Sequence, residues 1–118
     1  MERKVISSVE VAASAAVSAD GNTDAVATER AREIVFEIIP TASTTADFDF
    51  TVQTTYDRDD SPTFVAVNTA TNVTTHTARV LVTVRIETGI LGVSSRLAWV
   101  RNGGSLTFSV KAHVKEDE

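Results

Sequence analysis

Cysteine is absent from the 118-residue chain, which removes disulfide frameworks, thiolate zinc sites and thiol catalysis together. Methionine, tryptophan and tyrosine occur once each, and aromatics make up only 6%, so stacking platforms for bases or sugar rings are few. The only histidines are His76 and His113, which restricts imidazole general-base chemistry to two places. Two prolines and five glycines are too few for a Pro- or Gly-rich linker. No apolar run approaches the roughly 18 residues that a membrane-crossing helix needs. Met1-Glu2-Arg3-Lys4 passes straight into an alternating segment instead of a signal-peptide apolar region, so no export signal is expected.

Threonine and valine dominate what is present. Their β-branched side chains are stiff at χ1 and suit a pleated surface better than a helix. Apolar residues at 42% and charged residues at 23% are ordinary globular usage, and the length fits one domain. The net charge of −5 opposes contact with nucleic acid or an anionic membrane, and neither is expected as a partner.

The apolar pattern has period two along much of the chain. Val5, Ser7, Val9 and Val11 fall on one side of a strand, with Ile6, Ser8 and Glu10 on the other. Asp20-Gly21-Asn22 reads as a turn, and Asp24–Thr28 as a short edge strand. Ile34–Ile39 is apolar on both faces, as a central strand would be, and Pro40 is expected to stop it. Thr41–Ala46 reads as a loop. Phe48, Phe50 and Val52 then alternate cleanly with Asp47, Asp49, Thr51 and Gln53. A turn-like loop over Asp57–Pro62 precedes a strand over Thr63–Asn68, and Thr69–Thr77 is a polar connection. Val80–Ile86 alternates again. Gly89-Ile90-Leu91-Gly92 is a Gly-flanked apolar turn, and Arg96–Arg101 is a strand carrying Leu97 and Trp99. Asn102-Gly103-Gly104 signals a hairpin, before a closing strand from Leu106 to Val114. The expectation is one all-β domain over 1–118, a β-sandwich or jelly roll of about eight antiparallel strands. Residues 1–4 and 115–118 are read as a flexible arm and tail.

Chemistry is hard to find. Neither histidine lies near a nucleophile elbow, no G-x-S-x-G occurs, and both read as surface residues. Asp47 and Asp49 share a strand face, as a glycosidase pair or metal site would require, but no third acid accompanies them. Asp57, Asp59 and Asp60 resemble a calcium loop, yet Pro62 and Asn68 stand where the EF-hand needs Gly and Glu. Arg79, Arg85, Arg96 and Arg101 are candidates for a basic patch. Asn72-Val73-Thr74 matches the glycosylation triplet, which a Thr-rich chain also produces by chance. Trp99 reads as a core or interface aromatic. No catalytic residue, metal ligand or cofactor is assigned.

Three segments carry a resemblance. Ser95-Arg96-Leu97-Ala98-Trp99-Val100, Asn102-Gly103-Gly104 and Ser105-Leu106-Thr107-Phe108-Ser109-Val110 together resemble the closing strands of small virion proteins of tailed bacteriophages. Phe48–Thr54, followed by the acidic turn Asp57–Ser61 and the strand Phe64–Val67, is similar to their middle region. Asp20-Gly21-Asn22-Thr23-Asp24 is similar to their early turn. The chain departs from that pattern at Gly89–Ser94, where it is longer, and at Ser105, where a Pro-containing turn is common. The resemblance implies a capsid decoration or head-auxiliary protein with a jelly-roll-type fold, made in the host cytoplasm and carried on the capsid surface. It also implies a homo-oligomer, a trimer in the usual case, bound to the major capsid protein. No active site accompanies it.

The expected function is therefore non-enzymatic cementing of a phage head. Ile90, Leu91 and Val93 are the interface candidates, because an apolar loop between glycines has no evident reason to face water; burial in the chain's own core is the other account. The alternative function is a carbohydrate- or receptor-binding jelly roll on a tail or fibre. An enzyme using Asp47 and Asp49 ranks third.

Overall fold

Two long strands run antiparallel through the centre of the molecule, and every other strand pairs with one of them. The computed structural model describes residues 2–74, 78–86 and 91–117, and the side chains of all of these except 42–45. In chain order the strands are β1 (Arg3–Val17), β2 (Gly21–Asn22), β3 (Val26–Ala27), β4 (Glu33–Thr55), β5 (Val65–Ala66), β6 (Thr71–Val73), β7 (Val80–Arg85) and β8 (Ser94–Asp117). They form one eight-stranded sheet with β8 and β4 at its centre. The all-β class and the antiparallel strand count agree with the sequence pattern.

The sheet curls because both central strands bend at the same level. One half contains β1, the second half of β8, the first half of β4, and β7. In the other half β2 and β3 flank β8 while β5 and β6 flank β4. Between them the β4–β8 register slips three times, from Pro40 to Phe48 on β4, opposite Phe108 to Arg101 on β8. Slips of this kind insert unpaired residues and bend a strand sharply, which folds the two halves face to face.

This corner corrects two expectations. Pro40 does not end its strand, and Thr41–Ala46 is not a loop at the level of the backbone. Proline has no N–H to give to a ladder, so it is tolerated at a bulge, and the register slips immediately after it. Asn102-Gly103-Gly104 is likewise not a hairpin, since β8 runs on through it. Gly104 takes a φ of 70°, and a glycine that can close a tight turn can equally form a bulge.

The core lies between the halves and comes from period-two positions. Ile34, Phe36 and Ile38 on β4 stand opposite Val84, Val82 and Val80 on β7, and opposite Val114, Ala112 and Val110 on β8. The small Ala112 faces the large Phe36, which lets the layer interdigitate. The other half contributes Phe48, Phe50, Val52, Leu97 and Trp99 to the same cluster. Phe108 sits near the corner, its ring 5.5 Å from Phe50 and 5.2 Å from Trp99, both edge-on. Trp99 is a core residue, with its indole N–H donated to the Ala19 carbonyl at 3.1 Å.

The chain ends are not loose over the described residues. Arg3 pairs with Asp117 and Lys4 with Glu116 at the far end of the β1–β8 ladder. Arg3 Nε also donates to Asp117 at 3.2 Å. Where flexibility was expected, residues 3–4 and 115–117 are paired in the sheet.

Candidate functional site

The face and edge of β1 stand out, because this strand contributes so little to the core. Among the described residues it is the outer strand of the sheet and its ladder partner is β8, while Val11 O also accepts from Asp24 N–H at 3.0 Å. Every residue from Lys4 to Glu10 is exposed, and Val11 is its single buried member. Val5, Ile6 and Val9 are 50%, 43% and 42% exposed. A 15-residue strand with apolar groups in water and a free edge invites a further strand.

The simple alternation read from the sequence does not hold along β1. Its register against β8 slips between Val5 and Ser7, and again between Glu10 and Ala12. Val5 therefore pairs with Lys115 on the outer face, whereas Ser7 and Val9 pair with Val114 and Ala112 on the core side. Beside that core side lies an apolar cleft of about 580 Å³, lined by Ile6, Val9, Val26, Ala31 and Val114 among others. The sandwich is thus incompletely closed where β1 meets the 26–31 segment.

On the outer face four strands are tied together by one row of side chains. Ser8 on β1 lies 2.8 Å from His113 Nδ1 on β8. His113 Nε2 lies 3.0 Å from Glu37 Oε1 on β4. Arg79, just before β7, donates to Glu37 Oε2 at 2.6 Å. Contact with His113 holds the Glu37 carboxyl below the usual glutamate range against the opposing effect of burial, with Arg79 adding to the depression. No sequence reading connected these residues. Ser8 and His113 are 105 positions apart, and only the β1–β8 register makes them neighbours.

A second polar cluster closes the same end of the sheet. Glu33 is buried and receives Arg85 and Lys115, each at 3.1 Å, and Arg3 at 3.4 Å. Burial pushes its carboxyl up, but Lys115, Arg85 and Arg3 outweigh this and leave it lowered. Asp117 meets Arg3 and Arg32. These are opposed charges matched within the chain.

The residues singled out from the sequence lie elsewhere. Leu91 packs against the core, and Val93 is half-buried with its N–H bonded to Thr55 O and its carbonyl to Thr28 N. Both belong to a segment stitched into the chain's own fold; Ile90 and His76 fall outside the described residues. Asp47 and Asp49 do share a face, but Asn72 Nδ2 donates to both at 2.7 Å, and Asn102 reaches Asp47 at 3.2 Å. Hydrogen bonds from Asn72, then Asn102, lower the Asp49 carboxyl, which suits a solvated carboxylate more than a proton donor. Asp57 closes its own loop by accepting the Thr63 N–H at 2.9 Å.

The four arginines do not gather into one basic patch. Arg79 and Arg85 pair with Glu37 and Glu33, Arg96 lies 4.0 Å over the Phe64 ring, and Arg101 donates to the Gly104 carbonyl. Burial lowers the pKa of Arg96. Among the large aromatics Phe36, Phe48, Phe50 and Phe108 are buried, and Tyr56 is exposed. Comparison with protein-family models, curated proteins and solved structures returns no match for the chain.

Proposed function

We propose that this protein is a structural attachment module of the capsid-decoration type, which docks the free edge and exposed apolar face of β1 against protein neighbours. The observation that supports this reading is the run Lys4–Glu10, exposed throughout and bordered by an apolar cleft. Buried apolar area is the general driving force for association, and an added strand gains main-chain hydrogen bonds as well. The three register slips and Lys4 are also devices that guard an edge against indiscriminate pairing, so a matched partner is favoured over random aggregation.

The neighbours in this reading are copies of the chain, forming a trimer, and the major capsid protein beneath them. A standard-sized contact buries roughly 1,600 Å² in total. A preformed sheet loses little freedom on docking, and several weak contacts made by one oligomer sum through effective concentration. A glycan-binding role finds less support, because Tyr56 is an isolated exposed aromatic and Phe64 is covered by Arg96.

Light scattering and co-sedimentation test the proposal on the full chain. The expected outcome is a stable trimer that pellets with mature heads and not with immature ones. Ile6→Lys with Val9→Lys should abolish pelleting while leaving the circular dichroism unchanged. A monomer indifferent to heads, or undiminished attachment of the double variant, would sink the reading.

A further inference from the structure

We infer that Ser8 is an activated nucleophile, held by His113 and Glu37 in a reactive triad that takes acyl groups from unhindered carboxylic esters. The inference concerns the undocked chain, because Ser8 lies within the Lys4–Glu10 run that the attachment role would cover.

Glu37 Oε1 belongs to an ionised carboxylate and can only accept, so His113 Nε2, 3.0 Å away, carries a ring proton. In the neutral form of the ring Nδ1 is the acceptor, and the Ser8 hydroxyl, 2.8 Å away, donates to it. A hydroxyl donating to an imidazole whose other nitrogen is fixed by a carboxylate is the arrangement that activates serine. The two ring nitrogens exchange their usual parts here, but either is competent as the base.

Exposure is graded in the sense that acyl transfer needs. Ser8 is exposed, whereas the His113 and Glu37 side chains are only 25% and 13% accessible. The nucleophile is open to reagent while its base and the positioning carboxylate are shielded. Arg79 on Glu37 Oε2 keeps that carboxylate charged and fixed, so it orients the ring without taking its proton.

The step is ordinary acyl transfer. Ser8 Oγ attacks the ester carbonyl carbon as its proton passes to His113 Nδ1, and a C–O bond forms. The tetrahedral adduct collapses, the bond to the alcohol or phenol oxygen breaks, and the leaving group departs with the proton from His113. Water then attacks the acyl–Ser8 ester with His113 again as base, releasing the carboxylic acid and restoring the hydroxyl. Nothing is oxidised or reduced. An open sheet face suits small aryl esters better than long acyl chains.

The test is site-resolved labelling of the full chain with a fluorophosphonate, in which Ser8 Oγ displaces fluoride from phosphorus. Ser14, exposed on the same strand, is the internal control. Base assistance contributes roughly 10²–10⁴-fold, so Ser8 should label at least about 100-fold faster than Ser14. His113→Gln should bring the two to parity, and Ser8→Ala should remove both the label and p-nitrophenyl acetate hydrolysis above background. Glu37→Gln, which keeps an acceptor and removes the charge, should slow labelling and alter its pH profile. Equal labelling of Ser8 and Ser14 in the native chain, or undiminished labelling in folded His113→Gln, would show the row to be a purely structural ladder.

Discussion

A methyl group placed on Gly92 would overlap the backbone carbonyl of Thr55. The same short stretch is bonded on both sides. Gly92 N–H donates to Thr54 Oγ1 at 2.7 Å, and its carbonyl accepts from Thr28 Oγ1 at 2.9 Å. Backbone cannot retreat as a flexible side chain can. Gly92→Ala should therefore cost at least about 2 kcal/mol, at the upper part of the overpacking range. A urea midpoint lowered at unchanged m-value would register it.

The hydroxyls around that glycine form a closed set. Thr28, Thr54 and Ser95 are all buried, with Ser95 Oγ 2.9 Å from Thr28 and 3.0 Å from Thr54. Ser95→Ala removes its hydrogen bonds to Thr28 and Thr54, which keep the Gly92 and Ser94 backbone as partners, and a loss of about 0.5–1.5 kcal/mol is expected. Thr28→Val should cost a similar amount. Because the groups share partners, the double variant should lose less than the sum. Additivity in a double-mutant cycle would contradict the shared network.

Phe108 anchors the corner where the halves meet. Its ring lies within 6.3 Å of the Phe48 centroid as well as close to Phe50 and Trp99. Phe108→Ala should cost about 3–5 kcal/mol, a large share of the stability of a small domain. Loss of the sharp thermal transition, followed through the single tryptophan, is the expected signature.

Acid should weaken the fold through Glu33 and Glu37. Both carboxyls lie below the ordinary value of 4.5 in the folded chain, so the unfolded chain takes up protons first as pH falls. Their contribution is full above the unfolded pKa and disappears as pH drops through the lowered folded values. Stability should thus rise with pH across this acid window. Glu33→Gln and Glu37→Gln should each flatten the slope of unfolding free energy against pH, measured by denaturant titration at several pH values.

The all-β class was legible because it rests on local alternation. Ile34, Phe36 and Ile38, and again Phe48, Phe50 and Val52, declare a buried face within a few residues of chain. The continuity of β4 and β8 was not legible. Pro40 and Asn102-Gly103-Gly104 carry the chemistry of a break, and only the opposing strand decides whether such residues make a turn or a bulge. The slips beside Ile6 and Val11 hid the true faces of β1 for the same reason. Contacts between distant segments lay further out of reach, since nothing near Ser8 announces His113. The apolar character of Leu91 and Val93 was read correctly, but whether such side chains turn inward depends on the Thr28 and Thr54–Thr55 segments that hold them.

Strand β8, central to the sheet, lies C-terminal to everything it pairs with. Arg3 must find Asp117 across 114 positions, and β4 waits for the same segment. Until Ser94–Asp117 emerges from the ribosome, β1 has no ladder to join and the corner has no second strand. Assembly therefore waits for β8 itself, and non-local pairing of this kind sets folding in the millisecond-to-second range. A chain stopped at residue 93 would lack one of the two strands common to both halves, leaving polymer rather than a smaller version of the domain.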